Sequence, residues 1–173
     1  MTGAGPVHAY LMAAGLGTRL YPLTGLTSKP MVPILNRPVM EHLLHLLRRH
    51  GVTEVAANLH YYPDRIRSYF GDGSGFGVDL RYNLEEQLLG TAGGADAFRA
   101  FLGDATFLVM SGDGLTDADL TAFLAAHRRS GGVATLAIID DDYAAALGLV
   151  VGSAPVLTIQ TFRSSVPRWE RSM

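Results

Sequence analysis

At 173 residues the chain is long enough to fill one hydrophobic core and short for two. A make-up of 48% hydrophobic and 17% charged residues excludes the disordered and membrane-spanning classes. A formal net charge of −2 gives no general attraction to nucleic acid or anionic membrane, and the absence of cysteine removes disulfides, thiolate zinc sites and cysteine nucleophiles together.

Two element types alternate along the chain. Val7 to Ala13 is short, apolar and stopped by glycine, the pattern of a buried strand. Pro38 to Gly51 carries Val39, Leu43, Leu46 and Leu47 at helical spacing, with Pro38 early and Gly51 just beyond as start and stop signals. Glu54 to Leu59 reads as a second strand and Pro63 to Phe70 as a short helix with Ile66 and Phe70 on one face. The glycine-rich "GDGSGFG" turns into a strand over Val78–Leu84. A helix over Ala92–Leu102, a strand over Thr106–Met110, a helix over Leu120–Arg129 and a strand over Val133–Ile139 follow. Further on, Leu147–Val151 and Val156–Phe162 can form strands, whereas "RSSVPRWERSM" lacks periodicity. The alternation predicts an α/β domain, a mostly parallel sheet with helices on both faces. The expected organisation is one domain over residues 1–160 and an irregular tail over 161–173.

No basic segment leads into an uninterrupted apolar run at the N-terminus, and no apolar run reaches the roughly 18 residues of a spanning helix. With cysteine absent, the expectation is a cytoplasmic protein without membrane or nucleic-acid partners. The oligomeric state, including a homo-oligomer, is left open.

Three strand-end loops concentrate the chemistry. In "LMAAGLGTRLYPLTGLTSKPMVPI", Gly15 and Gly17 end the first strand, where backbone N–H groups, Thr18 and Arg19 suit phosphate oxygens. The spacing is neither a P-loop nor a dinucleotide fingerprint, because Leu20 stands where each needs another residue. Lys29 is the single lysine among 14 Lys+Arg. Lysine is a compact point charge that can reach one phosphate at a crowded centre, where arginine presents a wide planar fork. Pro22 and Pro30 stiffen the loop that carries it. The plainer alternative is a tight turn with surface cations.

In "FLVMSGDGLTD", Ser111-Gly112-Asp113 leaves a buried strand. Asp113 is placed to bind Mg²⁺ through carboxylate oxygen, or else to form the turn; Asp117 or Asp119 suits the cap of the next helix better. In "LEEQLLGTAGG", Glu85 and Glu86 have no evident partner, and Gly90, Gly93 and Gly94 permit close approach. A carboxylate there accepts from N1–H and N2–H₂ of guanine, or once from a pyrimidine N3–H; the alternative is a solvated loop. The six histidines have no metal spacing, and His42 and His45 belong to a helix.

In this order, "AAGLGTRLYPLTGLTSKPMVPILNRPVMEHLL", "NLHYYPDRIRSYFGDGSGFG", "EEQLLGTAGG" and "FLVMSGDGLTDADL" resemble the sugar-1-phosphate nucleotidylyltransferases, most closely the bacterial mannose-1-phosphate guanylyltransferase-like branch. The similarity covers roughly Val7 to Ala137. It implies a Rossmann-like nucleotidyltransferase domain that makes an NDP-sugar and pyrophosphate from an NTP (GTP favoured) and a sugar 1-phosphate (mannose 1-phosphate favoured), with Mg²⁺. On matching positions, the resemblance implies that Ala14, Gly15, Gly17, Thr18 and Arg19 hold the triphosphate. Lys29 would contact the reacting phosphate region, Glu85, Gly90 and Thr91 the base, Asp113 the metal, and Gly148 the sugar; Arg19 and Lys29 would be the catalytic pair.

Ser28 stands where this branch usually has proline, as in some thymidylyltransferase-like relatives. "LGLVV" keeps Gly148, but no Glu-Lys-Pro follows and the second metal-binding aspartate is absent, so the sugar-binding half is expected to be missing. Three readings remain: an enzyme that turns over weakly or with a partner chain, a nucleotide-binding remnant without turnover, or a truncated fragment with an uncovered sheet edge. Thymidylyl- and uridylyltransferases of glucose 1-phosphate are the alternative chemistry.

Overall fold

The computed structural model describes residues 5–137, 145–146, 156–159 and 162–163. The first strand, β1 (Val7–Met12), ends two residues before Ala14. Two short strands, β2 (Pro33–Ile34) and β3 (Arg37–Pro38), pair antiparallel and lead into α1 (Val39–Arg49). This helix buries Val39, Met40, Leu43, Leu44, Leu46 and Leu47, carries Glu41 in its first turn and Arg48 and Arg49 in its last, and stops before Gly51 at φ 75°. Those charges complement the helix dipole, and only the left-handed residue turns the chain so sharply.

β4 (Glu54–Leu59), α2 (Pro63–Phe70) and β5 (Asp79–Leu84) follow. α2 starts on proline and buries Ile66 and Phe70, as its sequence spacing predicts. The helix expected over 92–102 is two pieces, α3 (Gly90–Asp96) and α4 (Arg99–Leu102). Phe98 interrupts it at φ −104° and inserts its ring into the core beside Tyr10; with Gly93 and Gly94 in the stretch, helix propensity is too low to resist. β6 (Thr106–Ser111) and α5 (Leu120–Ser130) come next. Asp119 caps α5, its carboxylate accepting from the Ala122 amide at 2.9 Å, and Gly131 ends it at φ 62°.

β7 (Ala134–Leu136) covers the middle of the last strand expected from the pattern; residues 138–139 lie outside the described residues, as do 147–151. β8 (Ala145–Ala146), β9 (Val156–Ile159) and β10 (Phe162–Arg163) complete the elements. β9 inserts between β6 and β7, and β10 pairs with β8, so two residues of the segment expected to be irregular are strand-paired.

The main sheet has the order β5-β4-β1-β6-β9-β7, and its pairings are parallel. Side chains alternate across it. Ala9, Leu11, Leu108 and Met110 pack against α1, α2 and α5 on one face, and Tyr10, Phe107 and Val109 pack against α3 and α4 on the other. Helices therefore cover both faces, as a parallel sheet requires. No helix among the described residues is long and apolar enough to cross a membrane.

α3 lies unusually close to the sheet at Gly94. A Cβ there would come within 2.7 Å of both Asn58 Nδ2 and Glu85 Oε1 and would also strike the Tyr10 hydroxyl. Gly94→Ala is expected to cost about 1–3 kcal/mol of stability through overpacking; an unchanged urea midpoint would show that α3 does not sit this close.

His127 is buried on α5, with Nδ1 2.8 Å from Thr135 Oγ1 of β7. Burial, and secondly the Arg128 charge, hold its pKa below the ordinary imidazole value. The unfolded chain then binds the proton first, so stability falls as pH drops below about 6.5 and is unaffected by this group above it. Urea midpoints measured at about pH 7 and pH 5 should separate by less in His127→Gln than in the native chain.

Candidate active site

β1 sits between β4 on one side and β6 on the other, and the chain winds outward from it in both directions. At such a reversal the loops leaving the carboxyl ends of neighbouring strands part and open a crevice. Here the crevice is a cavity of about 440 Å³. Its walls come from the loop after β1, the turn carrying Lys29, the end of β4, the loop after β5 and the end of β6.

The loop after β1 begins at buried Ala13 and Ala14 and reaches Gly17 at φ 72°. Gly17 is required there for a second reason. A Cβ would lie 2.9 Å from Thr24 Cγ2 and 3.0 Å from Lys29 Cγ, so the absence of a side chain lets the loop rest on the lysine stem. Thr24 Oγ1 donates to the Gly17 carbonyl at 2.8 Å and fixes that approach. Thr18–Leu20 then forms a 3-10 turn bearing Arg19.

Lys29 opens another 3-10 turn, Lys29–Met31, held by Met31 N–H donating to Ser28 O and Val32 N–H to Lys29 O, both at 3.0 Å. Its ammonium donates to Asp113 Oδ2 at 2.6 Å across 84 residues of sequence. The Ser111 hydroxyl donates to the other oxygen, Asp113 Oδ1. Burial pushes the Asp113 carboxyl up, but the hydrogen bonds from Lys29 and Ser111 and the lysine charge outweigh it, leaving its pKa below the ordinary aspartate value. Between these residues, Gly112 N–H donates to Met12 O at 2.9 Å, and a Cβ on Gly112 would strike that same oxygen. The ends of β1 and β6 can close on each other only because the residue is glycine.

The expected residues gather as follows. Ala14, Gly15, Gly17, Thr18, Arg19, Lys29, Glu85, Gly90 and Asp113 line the one cavity. Thr91 follows Gly90 in the first turn of α3, and Gly148 lies outside the described residues. Glu85 differs from its sequence expectation of having no partner. It is 3% exposed, and its oxygens accept from Asn58 Nδ2 at 2.7 Å and from the Leu89 amide at 3.0 Å. Glu86, by contrast, is exposed.

Two residues of the site escape sequence reasoning. Asn58 lines the cavity and accepts from the Ala13 amide at 2.8 Å; the signal was a lone amide near the end of the apolar "EVAANL". Ser111 has none, since a serine before glycine is ordinary turn chemistry.

Mg²⁺ is commonly held by one or two carboxylates with substrate phosphates completing its octahedron. Asp113 fits that mode, being a single carboxylate beside a phosphate-sized opening, and no group of three or more His, Cys, Asp or Glu gathers among the described residues.

Many known proteins match this chain in sequence or in fold. The family pattern of the nucleotidyl transferases matches residues 8–163. The chain is 40% identical over 169 residues to the UTP–glucose-1-phosphate uridylyltransferase of Synechocystis sp., covering 89% of this chain and 44% of that protein. It is 38% identical over 133 residues to the mannose-1-phosphate guanylyltransferase of Mycobacterium tuberculosis, covering 77% of this chain and 37% of that one. It thus spans less than half the length of either relative. In three dimensions it is similar to the UDP-glucose pyrophosphorylase from Acinetobacter baumanii, with a TM-score of 0.65 at 18% identity over 91% of this chain and 73% of the other. With its parallel Rossmann-like sheet, its glycine loop and its match over most of its length, the chain belongs to the nucleotidyl transferase family, alongside the sugar-1-phosphate nucleotidyltransferases.

Proposed function

We propose that this chain binds a nucleoside triphosphate and supports transfer of its nucleotidyl group to a sugar 1-phosphate, releasing pyrophosphate. The observation that carries this reading is the meeting of Lys29 and Asp113, at 2.6 Å, in a cavity walled by the Gly15–Arg19 loop. Ala14, Gly15, Gly17 and Thr18 take the triphosphate on backbone N–H groups and a hydroxyl, and Arg19 neutralises the departing pyrophosphate. Glu85, Gly90 and Thr91 form the base side, and Gly148 the sugar side. Asp113 would hold Mg²⁺, which would supply positive charge to offset that of the phosphates.

The chemistry needs little else from the protein. An ionised phosphate oxygen of the sugar attacks the α-phosphorus in line; the new P–O bond forms as the bond to the bridging oxygen breaks, and pyrophosphate leaves with that electron pair. The attacking oxygen carries no proton, so no general base is required. Positioning and charge neutralisation are the remaining tasks. Lys29 performs the second as it turns from Asp113 toward the transferred phosphate. A lysine suits this better than an arginine because it is a compact point charge that can reach one phosphate, where a planar fork spreads its charge.

GTP and mannose 1-phosphate are the first substrate reading, supported by likeness to the guanylyltransferase. UTP and glucose 1-phosphate are the second, supported by the 40% identity to the uridylyltransferase. Calorimetric titration with GTP, UTP and dTTP in Mg²⁺, followed by pyrophosphate release with mannose or glucose 1-phosphate, tests both. Binding by one triphosphate at a dissociation constant of about 1–100 μM is expected; no binding by any of them overturns the reading, and binding without turnover leaves a nucleotide-binding protein.

Lys29→Ala is expected to lower turnover by about 100-fold while nucleotide affinity falls less than about tenfold. Equal losses in both would remove Lys29 from the reacting phosphate.

A further inference from the structure

Thr24 holds the Gly17 carbonyl from a segment that has little packing of its own. Between Tyr21 and Leu26 only Thr24 is buried, while Tyr21, Leu23 and Leu26 are 74%, 65% and 75% exposed. A stretch with so few buried contacts depends on its hydrogen bonds to stay in place. Two of them come from residues 37 positions further along the chain. The Tyr62 hydroxyl donates to Gly25 O at 2.9 Å and the Tyr61 hydroxyl to Thr24 O at 3.2 Å. Both carbonyls belong to the 3-10 turn Leu23–Gly25.

Adjacent residues of an extended strand point to opposite faces, so two tyrosines in a row beyond β4 would not be expected to reach one turn. Here Tyr62 adopts φ 50° and ψ 51°, a left-handed conformation rare for so bulky a residue, and both hydroxyls arrive on neighbouring carbonyls. The two rings meet edge-on at 4.5 Å, and the Arg65 guanidinium lies 5.8 Å over the Tyr62 ring. Backbone strain of this kind persists only where the surroundings over-determine it, and it gathers at functional sites. Neither tyrosine lines the cavity, so any functional effect must pass through the turn they hold.

We infer that Tyr61 and Tyr62 are positioning residues for triphosphate binding, acting from outside the cavity by bracing Thr24 against Gly17, a role that rests on the nucleotide reading of this site and deepens it. The Gly17 carbonyl accepts from Thr24 Oγ1 at 2.8 Å and from the Leu20 amide at 2.9 Å. That carbonyl and the Thr18 N–H share one rigid peptide plane and point in opposite directions. Fixing the oxygen therefore fixes the direction of an N–H on the loop that takes the triphosphate. The tyrosines hold Thr24, Thr24 holds the peptide, and the peptide presents the donor. Electrostatic binding of phosphate gains from donors aligned in advance, since no alignment then remains to be done on binding.

Calorimetry with inorganic triphosphate, GTP and UTP, each with Mg²⁺, tests the brace on the native chain, Thr24→Val, Thr24→Ser and the double variant Tyr61→Phe/Tyr62→Phe. Thr24→Val keeps the shape and removes the hydroxyl. It should weaken all three ligands by about tenfold, inorganic triphosphate as much as the nucleotides, because no base contact is involved. Thr24→Ser keeps the hydroxyl and should stay within about threefold of native. The tyrosine double variant removes only two hydroxyls and should weaken all three ligands by about three- to tenfold. Adding Thr24→Val to it should bring the affinity to within about threefold of Thr24→Val alone, because the brace works through that one residue.

Losses that simply add overturn the inference, as does native affinity in the tyrosine double variant. Urea midpoints set the brace apart from a purely structural role. Hydroxyls that serve the fold alone would lower the midpoint and leave the folded chain with native affinity, and that result overturns it too. Should the double variant fold poorly, Tyr62→Phe alone is expected to weaken inorganic triphosphate by about threefold, and an unchanged affinity there has the same force. A native chain that binds triphosphate as well as its tyrosine variants do removes the brace alone, whereas one that binds none removes the functional reading with it.

Discussion

Everything at this site depends on two opposite charges being brought together at the point where the sheet reverses direction. Lys29 and Asp113 are far apart in sequence and neither belongs to a regular strand, yet their side chains meet partly shielded from water, at 18% and 30% exposure. An ammonium and a carboxylate in such a place are tolerable only as a pair, because either alone would carry an unbalanced, partly desolvated charge. The pair therefore leaves this part of the cavity wall close to electrically neutral. In the proposed reading a triphosphate would shift the balance, since its oxygens would compete with Asp113 for the ammonium. The same carboxylate is held below its ordinary pKa by that ammonium and by Ser111, so it is ionised within the pair.

Bringing the pair together is a backbone problem solved by small residues. Gly17 lets one loop lie on the lysine stem, and Gly112 lets β6 end against the Met12 carbonyl. Each substitution of these glycines would put a Cβ into an atom that cannot retreat, backbone in one case and a clamped threonine in the other. The catalytic reading of the cavity and the closeness of its packing are thus one constraint seen twice.

Much of this was legible in the sequence, and the reasons are physical. Period and punctuation fix α1, α2 and α5 because their apolar faces, prolines, glycines and the Asp119 cap all agree. The strand ends were legible because apolar runs stop on glycine where ligands approach. Where local signals conflict with packing, sequence reasoning loses. The 92–102 helix breaks at Phe98 because burial of an aromatic ring outweighs the weak propensity of a glycine-rich turn. The position of β9 between β6 and β7 is a long-range pairing with no local mark. Glu85 failed for the same reason: its partner Asn58 is 27 residues away, and only the sheet register, which sets Asn58 opposite Asn83 and Met12, brings them together.

In the proposed reading, the register also lets donor recognition stand apart from transfer. Every residue lining the cavity falls between Met12 and Asp113, on β1, β4, β5, β6 and the loops that leave them. These strands are mutual neighbours, so their carboxyl ends are aligned by their own ladder hydrogen bonds, whatever lies beyond β6. The loops after β1 and β5 and the Asp113 carboxylate are in this way preorganised by a four-strand unit, and in the proposed reading preorganisation is what electrostatic catalysis requires of a donor site. An acceptor sugar phosphate must reach the α-phosphorus from the side opposite the leaving pyrophosphate, because displacement is in line. The groups that hold it therefore cannot come from the wall that holds the pyrophosphate, and the donor half can be complete without them.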